Sequence, residues 1–291
     1  MKRTFTILGV LALLQLPVVA MPAEKVLKDL EEYTAYTGAQ NVVDPQKKAE
    51  ALEAFVEHYP KSILRINALE QAMAGYQKAR NLDKTVETAN AILKLQPDNL
   101  RVLVLVAFLQ RVKATQGDKA ALEQSRISGE EGLVRLSNWT RPDGVTEIEF
   151  GRMRTNMKAI FSGAVAFAAL QNKDYAKARK YYLEAVRPGV INVQDIFQLS
   201  IAELEMNPLD TNGFWHVAKT ADMLKSTNAA AAESFVEYGK AKYLNYHGTD
   251  EGWAELLAAV HNQRTLPAAF SVTPAPPMVI RPGSKVKNRD Q

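Results

Sequence analysis

The 291-residue sequence contains no cysteine. It can therefore form no disulfide framework, no Cys-ligated zinc or iron–sulfur site and no thiol nucleophile. Imidazole is almost as scarce: His58, His216, His247 and His261 are the four histidines. None forms a His-x3-His pair or a His-Glu-x-x-His motif. Glycine-rich phosphate loops and a Gly-x-Ser-x-Gly elbow are missing. Gly129 and Gly132 in Ser128-Gly-Glu-Glu-Gly fit neither nucleotide fingerprint and read as a weak point in a helix. The paired carboxylates Glu31–Glu32 and Glu130–Glu131 are sequence neighbours, which on a helix do not face each other. The best acid–base or metal candidate is His247 with Asp250 and Glu251. The plainer reading makes His247 a helix-end residue meeting the C-terminal dipole, with Asp250 as the N-cap of the next helix. No cofactor, no metal and no catalysis are expected.

A surplus of one charge sign is also missing from the body of the chain. There are 36 Lys and Arg against 32 Asp and Glu, a net +4. Residues 281–291 hold Arg281, Lys285, Lys287 and Arg289 against Asp290, and Lys2 and Arg3 lie at the start. Residues 21–280 hold 30 basic and 31 acidic side chains. The basic character thus sits at two ends, which argues against a nucleic-acid-binding body.

The first end reads as a secretory leader over 1–20: Met1-Lys2-Arg3, an apolar run from Phe5 to Leu16, then Pro17-Val18-Val19-Ala20. Cleavage after Ala20 is the first choice and after Ala23 the second. An uncleaved anchor needs about 20 apolar residues, and Gln15 and Pro17 interrupt this run. The protein is therefore expected in the periplasm or secreted, with no membrane span after cleavage. The second end, 263–291, is a proline-rich basic tail, read either as inert and disordered or as a polyproline II segment with a basic tip.

Between Glu24 and His261 the sequence reads as helix. Ala, Leu, Glu, Lys and Gln dominate, apolar residues recur at three and four, and strand-like alternation is absent. Pro, Gly and Asn punctuate it at Asn41–Pro45, Pro60–Ser62, Pro97–Asn99, Gln116–Asp118, Arg141–Gly144, Pro188–Gly189, Asn207–Pro208 and Asn212–Gly213. Short helices without strands call for a search for repeats. The clearest unit is Phe161–Pro188, with small residues at Val165 and Ala166, a turn at Asn172-Lys173-Asp174, and Tyr175, Ala178, Tyr182 and Ala185 on its second helix. Thirty-four residues on, Asp195 to Leu224 shows the same plan, with Trp215, Ala218 and Ala221 on its second helix. Ile66–Pro97 is an upstream copy, an earlier pair ends at Tyr59-Pro60, and Leu100–Trp139 is a degenerate pair. Asn138–Val145 is an irregular insert.

These units resemble the tetratricopeptide repeat (TPR), of the exported bacterial type. The resemblance implies an all-α fold: an α-solenoid of antiparallel helix pairs over residues 21–262, closed by capping helices at Ala229–His247 and Asp250–His261. Tyr182 and Trp215 are expected in the core. In such arrays the first helix of each pair lines the concave face. By that plan Gln77, Lys78, Arg101, Phe108 and Arg111 line one stretch of a groove, and Phe167, Gln171, Phe197 and Ile201 the next. The expected function is a protein-interaction module of the cell envelope that takes a peptide or partner protein in this groove. The alternatives are an assembly or secretion component that makes contact by its convex face or tail, and an envelope hydrolase.

Overall fold

The computed structural model describes residues 30–186, 192–263 and 265–276. The leader, both cleavage points, the Pro188–Gly189 turn and the basic tip lie outside these residues. Twelve α-helices account for 74% of the described residues, with no strand among them.

The chain divides into two compact units between Asn81 and Leu82. The first contains α1 (Leu30–Gln40), α2 (Pro45–His58) and α3 (Arg65–Lys78). Asp44 starts α2 by accepting the Lys47 amide at 2.8 Å, with Pro45 in the first turn where its missing N–H costs nothing. Tyr36, Leu52, Phe55, Ala68, Ala72 and Tyr76 are buried together. Gly75 lets α3 approach α2: a Cβ there would stand 2.7 Å from the Pro45 carbonyl oxygen.

The second unit contains α4 (Leu82–Leu95), α5 (Leu100–Thr115), α6 (Lys119–Ser137), α7 (Glu147–Gln171), α8 (Tyr175–Ala185), α9 (Val193–Glu205), α10 (Asn212–Leu224), α11 (Ala229–His247) and α12 (Trp253–Asn262). The boundary falls inside Ile66–Pro97, so α3 and α4 belong to different units. The punctuation read from sequence supplies the caps at Asn99, Asp118 and Asp174, while those at Asn192 and Asn228 lie outside it. Asn99, Asp118, Asp174, Asn192 and Asn228 each accept a backbone amide at the head of the following helix. Thr146 and Glu149 close a reciprocal capping box that starts α7 directly after the insert.

From α4 to α11 each helix packs on the next in chain order, and the alternate helices α5, α7 and α9 also touch. This is the helical solenoid plan, in which each pair buries its apolar face against its neighbours. α12 folds back onto α10. Val165, Ala166, Tyr182 and Ala218 are fully buried, and Trp215 nearly so. Gly129 and Gly132 are not a weak point but a helix crossing. A Cβ at Gly129 would lie 2.8 Å from the Phe161 carbonyl oxygen, and one at Gly132 would run into the Phe161 ring. The glycines are there because α7 lies where side chains would be.

Candidate functional site

α9 is where polar chemistry enters the interior of the second unit. Most of α5 from Leu100 to Val112 is buried and apolar, yet Arg111 projects from it into the core. A buried guanidinium needs a charge partner, because desolvation otherwise costs several kcal/mol. Asp195, in the first turn of α9 and itself buried, pairs with it. The positive end of α9 favours a carboxylate at that place. Gln198, one turn on, accepts from Arg111 Nη2 at 3.0 Å and from the Tyr182 hydroxyl at 2.5 Å. The Arg111 guanidinium lies 5.5 Å above the Phe167 ring. Four helices therefore meet at one joint: α5, α7, α8 and α9.

Charge and burial compete there. Burial opposes the cation of Arg111, but Asp195 and Tyr182 outweigh it and leave its pKa raised. Burial drives the Tyr182 phenol well above its ordinary value, only partly offset by Arg111. Both groups keep a fixed state across physiological pH, Arg111 charged and Tyr182 neutral.

A second polar cluster begins two turns further along α9. Glu203 has no exposed surface. Its Oε2 lies 2.6 Å from His216 Nδ1 on α10, and its Oε1 lies 3.6 Å from Arg179 Nε on α8. Arg179 turns its other edge to Asp210 at 2.7 Å, and the Asp210 amide donates to the Glu203 carbonyl at 2.9 Å. Glu203 Oε1 and Arg179 Nε have no hydrogen-bond partner among the described residues. Desolvation raises the Glu203 pKa, although His216 and Arg179 pull it down. With Tyr182 and Glu203 fully enclosed, the two clusters hold α8, α9 and α10 in register and offer a reactant no approach to these two groups.

The nine residues expected to line a groove fall in different settings. Gln77 and Lys78 end α3 in the first unit, half-buried and exposed. The other seven are in the second unit. Arg111 is committed to Asp195, and Phe167 is only 4% exposed, so both belong to the interior joint. Gln171 ends α7 and is exposed. Arg101, Phe108, Phe197 and Ile201 are half-buried on α5 and α9. Phe197 stacks on Phe235 of α11 at 4.1 Å and meets the Tyr238 ring edge-on. Glu205, at the end of α9, takes Lys242 at 2.6 Å beside the same rings. Sequence reading did not anticipate Asp195, Gln198, Glu203 or Arg179. The available signal was the set of polar side chains, Asp195, Gln198 and Glu203, spaced among the apolar positions of α9.

The triad of His247, Asp250 and Glu251 does not assemble. His247 Nδ1 donates to the Thr273 carbonyl at 2.7 Å, and Asp250 pairs with Lys240 at 2.9 Å. Glu251 is exposed, and its backbone carbonyl accepts the Tyr243 hydroxyl. His247 does end α11, but Gly252, with φ of +87°, and not Asp250 is the N-cap of α12. Among the described residues no three His, Asp or Glu side chains are grouped as a metal site, and no helix is long and apolar enough to cross a membrane. Compared with known proteins, the chain matches no family model and no curated sequence.

Proposed function

We propose that the chain is an exported interaction module of TPR type, which holds a segment of a partner protein against the row of alternate helices α5, α7 and α9 and performs no catalysis of its own. One observation carries this reading. The three alternate helices touch, and they carry the half-buried Arg101 and Phe108 on α5 and Ile201 on α9, while the Phe197 ring on α9 is taken up by Phe235 of α11. Aromatic and aliphatic anchors beside a cation are the composition of a peptide-recognising surface. The leader-like pattern of residues 1–20 supports the periplasm or the exterior as its place.

The test is a pair of full-length variants, Ile201→Glu with Arg101→Glu, and a chain ending at residue 276. Crosslinking from the native envelope, through a photoreactive side chain at Phe108, identifies the captured partner. The reading expects capture to survive truncation and to fail with Ile201→Glu and Arg101→Glu. Capture that fails on truncation alone overturns it. Arg111 is unsuitable for this test, since reversing its charge breaks the Asp195 pair.

Outer-face contact is a second reading, favoured by Ile127 and Val134 of α6, which are 41% and 67% exposed. Val134→Lys removes capture if that face makes the contact.

A further inference from the structure

The sequence makes everything after residue 262 a tail, yet residues 265–276 lie against the last three helices. Leu266, Phe270 and Val272 pack on the cluster formed by Trp215, Tyr243, Trp253 and Leu256. The Phe270 ring meets the Trp215 ring edge-on at 5.7 Å. His247 Nδ1 donates to the Thr273 carbonyl, and the Ala275 amide donates to the Tyr246 carbonyl at 2.7 Å.

The Tyr246 carbonyl belongs to the last turn of α11, where the helix supplies no donor. The Ala275 amide fills that need. Beneath it, Gly248 has φ of +89°, and a Cβ there would stand 3.1 Å from the Ala275 Cβ. Glycine therefore serves twice, as the left-handed close of α11 and as the floor on which the segment rests. After a turn in which the Phe270 amide donates to the Pro267 carbonyl at 3.1 Å, the segment is read as an extended peptide is read: alternate side chains, Phe270 and Val272, meet apolar surface, while alternate backbone groups, at 273 and 275, are hydrogen-bonded. Pro267, Pro274 and Pro276 keep it from forming a helix.

Its hold is light. None of its twelve residues is fully buried, and it forms neither helix nor strand. Segments with few buried apolar contacts open at low free energy.

We propose that the surface made by Trp215, Tyr246, His247 and Gly248 is a second peptide-binding site, which the chain occupies with its own segment 266–275. Its ligand class is an extended, proline-containing segment of a partner protein carrying an aromatic residue and an aliphatic residue two positions later. The covalent tether makes the chain's own segment a competitor at an effective concentration of about millimolar, so the site opens only to a partner that outcompetes it. This site is separate from the α5–α7–α9 row and does not depend on that reading.

The test uses the full chain. A fluorescent peptide matching residues 265–276 is titrated by anisotropy against the natural chain and against the Phe270→Ala, Val272→Ala variant, with helical content checked by circular dichroism. The variant is expected to bind the peptide at least about tenfold more tightly, because its own segment no longer competes. A peptide with Phe270→Ala should bind neither chain. A helical variant that binds no better than the natural chain overturns the proposal. Hydrogen exchange on the natural chain gives a check free of mutation: the Ala275 amide should exchange far faster than the α9 amides, and faster still with excess peptide. Protection equal to that of α9 overturns release. Concentration-dependent dimerisation of the natural chain, abolished by Phe270→Ala, would make a second copy the occupant and overturn the intramolecular reading.

Discussion

Gly163 leaves the space that the Arg111 guanidinium fills: a Cβ at 163 would stand 2.5 Å from Arg111 Nη1 and 3.2 Å from Asp195 Oδ2. A glycine on α7 thus decides that an ion pair between α5 and α9 can exist. Adding a methyl group there sets packing against charge pairing. Gly163→Ala should destabilise the fold by about 1–3 kcal/mol, the usual range for overpacking a filled core. Urea unfolding followed by circular dichroism measures it, and an unchanged midpoint would show that the joint can shift.

Removing one partner of a buried pair leaves the other charged and unpaired. Asp195→Ala should therefore cost about 3–5 kcal/mol, and the double change Arg111→Met, Asp195→Leu should cost much less. Denaturant midpoints of Arg111→Met, Asp195→Leu and the double variant form the cycle, with Asp195→Ala measured beside them. A double variant as unstable as Asp195→Ala would mean that Gln198 and Tyr182, rather than the charge pair, hold the joint.

Two glycines of the same fold should respond to alanine with opposite signs. At Gly132 the new Cβ collides with the Phe161 ring, while at Gly151, in the exposed first half of α7, nothing lies within 4 Å. Gly132→Ala is expected to destabilise. Gly151→Ala should stabilise by about 1 kcal/mol through helix propensity. Thermal melts of both variants check the pair, and a shared sign would refute the crossing at Gly132.

Glu203 makes stability depend on pH. Burial raises its pKa in the folded chain above the ordinary value of 4.5, against the pull of His216 and Arg179, while Asp210 adds to the rise. The folded state then holds the proton more tightly than the unfolded one. The stability contribution of this group is present below the unfolded value and is lost as pH rises through the folded value. Glu203→Gln removes that loss. The stability of the natural chain relative to Glu203→Gln should fall as pH is raised from about 4 towards neutrality. A difference that stays flat over this range, measured by unfolding at each pH, would show that the His216 contact fully offsets burial.

The sequence was most informative where chemistry is local. Asp44, Asn99, Asp118 and Asp174 mark helix starts because a short polar side chain answers the amides of its own first turn, whatever packs around it. The small residues Val165 and Ala166 marked a crossing because two helices cannot approach across large side chains. The groove was less legible. Arg111 and Phe167 carry the spacing of surface positions, but which side of α5 and α7 faces α9 depends on how the helices cross. Their burial, and the value of Asp195 and Gln198, could not be read before α9 was in place.

The sequence by itself determined the helical class, many of the helix starts and the location of net charge, since each follows from residue type and spacing along one chain. Only the tertiary structure decided that Arg111 meets Asp195, that Glu203 is sealed against His216, and that Phe270 returns to Trp215. These are contacts between residues 13 to 84 positions apart, and their energies depend on burial, which exists only after the helices have stacked.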